Sequence, residues 1–245
     1  MHDIHNDFEI ENILEENRKR HEIINAPYNP VTGLGAVGER KKISIKDSPI
    51  GDMYLPVELI KENLFIRRLA KYGFKGYIIR FIKEVEYSEE ALNQLWIEFI
   101  KYRIIYDFEY WAYSFIFIKD KVSPKDIPFK LNRAQRRVLN KLEKLRKAGK
   151  PIKFILLKAR QWGGSTLVQI YMLWIMLVHR RNWNTVICGD VETQSRNVRA
   201  MITKALNKYP SYLLGETVKF TPFEGSSKNK VIQNTNCVVT YQELT

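Results

Sequence analysis

The chain is poor in the features that define several large protein classes. It holds two cysteines, Cys188 and Cys237, among 245 residues. Two cysteines cannot build a disulfide scaffold, so a reduced compartment is the expected setting. The longest strongly apolar run, Leu167 to Val178, is too short to span a bilayer. The N-terminus, MHDIHNDFEIENILEEN, carries acids where a secretory leader needs bases, so export is not expected. Histidine is scarce, and His2, His5, His21 and His179 do not fall at metal-ligand spacing with either cysteine. Neither a G-x-S-x-G elbow nor a Ser-His-Asp order is visible. Internal repeats and low-complexity tracts are missing as well.

Acid is also in short supply. Asp and Glu number 27 against 40 Lys and Arg, a formal net charge of +13. That excess favours a polyanionic partner without naming it. With 45% hydrophobic and 27% charged residues the composition is globular, which excludes a mostly disordered chain. The length fits one large domain or two small ones. The charge is uneven. Residues 1–30 carry a net −4, whereas residues 130–160 hold twelve bases against the single acid Glu143. Both a solvated helix face and a surface for phosphates fit such a run.

Periodicity sets out the elements. Residues 4–24 are expected to form a helix with Ile10, Ile13, Leu14, Ile23 and Ile24 on one side. Residues 25–52, with four Gly and three Pro, read as an extended arm or linker. Pro56 opens a helical stretch to about Tyr72, interrupted at Gly73 and Gly76. Ser88 reads as an N-cap, followed by Leu92, Leu95, Trp96, Phe99 and Ile100 at helical spacing. The aromatic stretch DFEYWAYSFIFIKDK is expected to pack that helix onto a core.

From Phe129 the pattern changes. Leu131, Val138, Leu139, Leu142 and Leu145 share one helix face, and Arg133, Arg136, Arg137, Lys141, Lys144 and Lys147 occupy much of the rest. Gly149 and Pro151 end that helix. Phe154 to Leu157 is a short apolar run suited to a strand buried on both faces. A Gly163-Gly164 loop and an almost wholly apolar helix, from about Ser165 to Arg180, follow. Thr185 to Cys188 is expected to be a second strand, with a helix after it carrying Val198, Met201, Ile202, Ala205, Leu206 and Tyr209. Strand, helix, strand, helix is the sequence form of parallel α/β. The tail adds β-prone runs VKF, KVI and CVVTY.

FILLKARQWGGSTL, Phe154 to Leu167, sets a strand, a turn of small and basic residues and a helix in direct succession. That is the context of a phosphate-binding loop. Gly163 and Gly164 let backbone N–H groups turn inward. Ser165 or Thr166 offers a hydroxyl to Mg²⁺ at the helix start, and a cation must reach the β- and γ-phosphates. The common pattern G-x-x-x-x-G-K-[ST] fails at two positions: Lys158 replaces the first Gly, and Gly164 replaces the Lys. The charge is retained at the other end of the loop, with Arg160 as a second cation. A Gly-Gly pair before a helix is otherwise an ordinary turn, and Trp162 is suited equally to stacking on a ligand and to packing.

K-A-R-Q-W-G-G-S-T resembles the deviant Walker A motif of large terminase subunits, the ATP-driven motors that package DNA into tailed phages. FKLNRAQRRVL resembles that family's adenine-recognising Q motif, and the early YNPVTGLGAVGER resembles terminases of phages of gut Bacteroides-like bacteria. The resemblance implies an α/β fold: a P-loop NTPase of RecA-like ASCE type with a parallel-sheet core. That core would fill residues 126–245, stop before Walker B and follow a mostly helical region 1–125. It implies that Lys158 and Ser165 hold ATP and Mg²⁺. It also implies that Arg160 senses the γ-phosphate, that Ala159, Gln161, Trp162, Gly163, Gly164 and Thr166 complete the nucleotide cradle, and that Gln135 reads the adenine edge. The implied partners are double-stranded DNA, a portal protein, a small terminase subunit and further copies in a ring. No membrane is involved, and the implied location is the host cytoplasm, transiently at the procapsid portal.

Complete members of that family are much longer. The expectation is therefore an N-terminal part, from a truncated or split gene or a designed fragment, lacking Walker B and the nuclease and hydrolysing ATP poorly by itself. Asp190 and Glu192 in TVICGDVE end the wrong strand for Walker B, and Asp190 reads better as a helix cap. A helicase-like ATPase and a basic nucleic-acid-binding module without ATPase activity remain as alternatives.

Overall fold

A computed structural model describes residues 4–25, 27–82, 88–120, 122–156, 162–189 and 192–243. The fold is α/β. Helix α1, Ile4–Asn25, matches the expected first helix, and its Ile10, Ile13 and Leu14 are exposed. The expected linker is only partly irregular. Arg40–Ser44 (β1) and Asp52–Pro56 (β2) pair antiparallel from Arg40↔Pro56 to Ser44↔Asp52. The Gly and Pro count of the segment belongs to the loop before this hairpin and to its turn, and it hid the alternation of buried Met53 and Leu55.

Helices α2, Val57–Glu62, and α3, Leu64–Phe81, follow. Gly73 breaks the helical path of α3 at φ 72° and ψ 176°. A Cβ there would lie 2.7 Å from the Lys46 Cβ, so only glycine lets the chain press onto the hairpin turn. Gly76, by contrast, stays helical. Ser88 caps α4, Glu89–Tyr106, by accepting from the Ala91 N–H. Helix α5, Phe108–Phe115, is the aromatic stretch, and Phe108, Tyr110, Trp111 and Phe115 are buried. A small ladder of β3, Phe117–Lys119, and β4, Asp126–Pro128, leads to α6, Arg133–Lys147.

After α6 the structure departs from expectation. Residues 151–156 have no regular structure, and Phe154 and Ile155 are 41% and 98% exposed. The strand expected at Phe154–Leu157 is therefore not formed over its described part, and Leu157 lies outside the described residues. An apolar tetrapeptide becomes a buried strand only with backbone partners on its edges and layers on its faces. Among the described residues no strand pairs with this segment.

Helix α7, Gly164–Trp174, runs on through a π-helical turn, Ile175–His179, and is buried on most sides as its composition dictates. Next come β5, Asn184–Gly189, α8, Glu192–Asn207, α9, Ser211–Leu214, and strands β6, Phe220–Phe223, β7, Ser226–Ile232, and β8, Cys237–Glu243. The sheet order is β5-β8-β7-β6. Only β5 and β8 are parallel, whereas β8, β7 and β6 form antiparallel hairpins. The described sheet is thus mixed, not the all-parallel core expected.

One contiguous apolar core runs from Ile45 to Tyr241 and draws on both halves of the chain. Two indoles stitch it across long sequence separations: Trp174 Nε1 donates to the Ile104 carbonyl at 2.8 Å, and Trp111 Nε1 to the Tyr209 hydroxyl at 3.0 Å.

Candidate functional site

The start of α6 is built by a capping box. Asn132 Oδ1 accepts from the Gln135 N–H, and Gln135 Oε1 accepts from the Asn132 N–H, both at 2.9 Å. Each side chain has an amide nitrogen left over, and both nitrogens turn toward the start of α7. Asn132 Nδ2 donates to the Trp162 carbonyl at 3.0 Å, and Gln135 Nε2 donates to the Gly163 carbonyl at 2.9 Å. The two helix N-termini are thereby joined by side chains of one and carbonyls of the other.

Gly163 precedes α7 in the left-handed region, φ 84° and ψ 20°, with no side-chain cap. A Cβ there would come within 2.6 Å of Gln135 Nε2. A Cβ on Gly164 would meet the Trp162 ring at 2.5 Å. Both glycines are thus required by close approach, as a tight loop needs. The first bond into the helix runs from the Leu167 N–H to the Gly163 carbonyl, so the N–H groups of Gly164, Ser165 and Thr166 stand ahead of it. Donors so placed, with the helix dipole behind them, suit an anion. Ser165 is exposed on this first turn, Thr166 is half-buried, and the indole Nε1 of Trp162 is buried without a hydrogen-bond partner among the described residues.

The structure therefore brings Gln135, Trp162, Gly163, Gly164, Ser165 and Thr166 into one neighbourhood. Lys158, Ala159, Arg160 and Gln161 lie outside the described residues, as does Asp190 with its expected capping role. Asn132 did not figure among the expected site residues. Its signal was present as N-x-x-Q ahead of an apolar helix face, the sequence form of a capping box.

The basic stretch 130–160 divides in two. Lys130, Arg133, Arg137, Lys141, Lys150 and Lys153 are exposed. Arg136, expected on the charged face, is instead buried, and its Nε meets Glu109 Oε1 at 3.3 Å. A helix with 3.6 residues per turn carries Arg136 round beside the buried Leu139, so it needed an acid in the core. Arg146 pairs with Glu143, Lys147 with Glu58 and Lys144 with Glu16.

The Glu109 carboxylate belongs to a buried ion network. It also accepts from the Val37 N–H at 2.5 Å. Asp107 accepts two bonds from Arg40, at 2.8 and 2.9 Å, and one from Arg103 Nε at 3.0 Å. Burial raises the Glu109 carboxyl, only partly offset by Arg40. Burial also opposes ionisation of Asp107, but Arg40 and Arg103 outweigh it and hold that carboxyl at about 2. This network ties residues 37–40 to α4, α5 and α6. Its charges are mutually paired, which is a structural arrangement.

A second basic surface arises only in three dimensions. Arg199, Thr203 and Lys204 of α8, Lys208 just past its end and Lys230 of β7 line an open groove of about 590 Å³. Asp126 pairs with Lys204 and Lys208 at its edge. Among the described residues no group of three or more His, Cys, Asp or Glu is placed to hold a metal ion. No helix among them is long and apolar enough to cross a membrane. No family model matches the chain, and no curated protein matches it.

Proposed function

We propose that this chain is the nucleotide-binding part of a motor ATPase of the DNA-packaging terminase type, built on a P-loop core. The observation that carries the reading is the left-handed Gly163, which opens an uncapped, buried helix directly after K-A-R-Q-W-G. In this reading the N–H groups of Gly164, Ser165 and Thr166 face the phosphates, with Lys158 and Arg160 supplying positive charge and Ala159, Gln161 and Trp162 shaping the loop. Ser165 is the residue for Mg²⁺, and its exposed place on the first turn of α7 fits that group. Ser165 would hold Mg²⁺, which would supply positive charge against the phosphates. Hydrolysis further needs carboxylates for the metal and the water, which none of these residues provides.

The test is binding of labelled ATP at millimolar concentration with and without Mg²⁺. Lys158→Ala removes a charge-assisted hydrogen bond of about 1.5–3 kcal/mol, a loss of roughly ten- to a hundredfold in affinity. If the chain binds no ATP and Lys158→Ala changes nothing, the loop is an ordinary turn.

Double-stranded DNA is the proposed polymer partner, with a portal protein, a small terminase subunit and a ring of copies as the assembly. The groove on α8 supports DNA binding there and equally favours the second reading, a nucleic-acid-binding module that uses no nucleotide. For either reading the paired substitution Lys208→Ala with Lys230→Ala is expected to reduce the slope of log K against log salt by about 2, near one unit for each phosphate no longer neutralised. An unchanged slope would assign DNA to another face. ATP binding then separates the motor from the module.

A further inference from the structure

We infer that Asn132 and Gln135 are positioning residues that pin the exit of the loop, and that Gln135 does not read a nucleotide base. The inference rests on the phosphate-loop reading for its functional consequence, but the hydrogen bonds themselves do not depend on it.

A glutamine reads adenine with both ends of its amide, accepting from N6 and donating to N7. In this chain each end of the amide already holds one backbone partner, which fixes its orientation away from a ligand. Oε1 takes the Asn132 N–H at 2.9 Å, and Nε2 gives to the Gly163 carbonyl at 2.9 Å. The orientation of the amide is fixed by these partners. Rotating it by half a turn would set oxygen against the Gly163 carbonyl and nitrogen against an N–H donor, breaking both bonds. The side chain is 4% exposed, between the α6 start and the Gly163 backbone. Reading a base would require it to leave that site and to break the reciprocal arm of the capping box.

Asn132 repeats the arrangement with its own amide, accepting from the Gln135 N–H and donating to the Trp162 carbonyl. Consecutive carbonyls, Trp162 and Gly163, are therefore held by the two corners of one capping box. The Gly163 carbonyl also accepts the Leu167 N–H at 3.0 Å, so both of its acceptor sites are filled. Fixing these two carbonyls fixes the peptide planes whose next N–H groups belong to Gly163 and Gly164. The Gly164 N–H is the first of the three donors that the phosphates would meet.

The variant that isolates this role is Gln135→Glu. Glutamate serves as well as glutamine in a capping box, so α6 keeps its cap, but the donor to the Gly163 carbonyl is lost. The test compares the wild-type chain with Gln135→Glu and Asn132→Ala, measuring affinity for ATP, GTP and inorganic tripolyphosphate alongside the melting temperature. Amide hydrogen exchange at Gly164 to Leu167 is followed in the same samples. The expected result for Gln135→Glu is a loss of at least about fivefold, the worth of one hydrogen bond with the repulsion of an added carboxylate on top, shared by all three polyanionic ligands. The ATP-to-GTP ratio should stay unchanged, the melting temperature should fall because a buried carboxylate oxygen then faces the Gly163 carbonyl, and exchange at Gly164 to Leu167 should become faster. Asn132→Ala should lower all three affinities together and speed the same exchange. A loss confined to ATP, with tripolyphosphate binding intact, would overturn the inference in favour of base reading. If the wild-type chain binds none of the three, the phosphate-loop reading fails. Exchange then decides the clamp alone: acceleration supports it and unchanged protection overturns it.

Discussion

Replacing Asp107 by alanine is expected to destabilise the protein by about 3–5 kcal/mol, the cost of leaving buried charge without its partner. Asp107 is 1% exposed and Arg103 0%, so the Arg103 guanidinium cannot turn to water once the carboxylate is gone. The same side chain also accepts the Tyr110 N–H at the start of α5, so a helix cap is removed with it. The pair Lys42–Asp52, at 2.7 Å but more than half exposed on both sides, is the natural control. Asp52→Ala should cost far less, as exposed pairs do. Urea unfolding at neutral pH measures both. Similar losses for the two variants would mean that the Arg40–Asp107–Arg103 network is no stronger than a surface pair.

The pH dependence has a definite sign. The Asp107 carboxyl titrates at about 2 in the fold against an ordinary 3.8. A depressed pKa contributes stability that is present above the unfolded value and lost as pH falls through the folded one. Asp107 should therefore contribute fully above about pH 4 and lose some 2 kcal/mol by about pH 2. Glu109 acts in the opposite sense. Burial raises its pKa, so its contribution is full below the unfolded value and fades as pH rises through the folded one. In Asp107→Asn the acid-side slope should flatten, since the titrating group is removed while its volume is kept.

That network also shows what the sequence could not disclose. Arg40 and Asp107 stand 67 positions apart, and nothing in local composition marks either as buried. Helices were legible where their reasons are local. The Ser88 cap and the three- and four-residue spacing of Leu92, Leu95, Trp96 and Phe99 define α4, and the same logic found α6, α7 and α8. The β-prone runs KVI and CVVTY fall in β7 and β8, whereas only Phe220 of VKF falls in β6, and the order and sense of these strands depend on pairing that periodicity does not contain. The strand expected at Phe154–Leu157 failed over its described residues for that reason: an apolar run states a preference for burial, not a partner. The candidate site was half legible. Gly163 and Gly164 announce a tight turn in sequence, whereas the Gln135–Gly163 hydrogen bond crosses 28 residues and required the fold.

The second large effect is expected at Trp174, where α7 ends. The ring is fully buried against Phe108 at 5.4 Å, Tyr171 at 5.7 Å and His179 at 4.3 Å. Trp174→Ala should cost about 3–5 kcal/mol through the cavity alone. The Ile104 carbonyl, which accepts the indole N–H, would also be left without its donor. Trp174→Phe separates the two contributions, since it restores most of the aromatic volume but not the bond. Its loss should fall well below that of alanine and not reach zero. His179 supplies a second readout. Burial, helped by the nearby Arg146 charge, depresses its imidazole to about 4. Its contribution is therefore present above the unfolded value near 6.5 and is lost as pH falls toward 4. Removing the indole that covers it should let water in and move its titration upward, visible as a shifted imidazole proton resonance. If Trp174→Ala unfolds the chain outright, Trp174→Phe still tests the packing. An unmoved His179 titration together with no loss of stability in that variant would show that neither the bond nor the ring edge matters at this corner of the core.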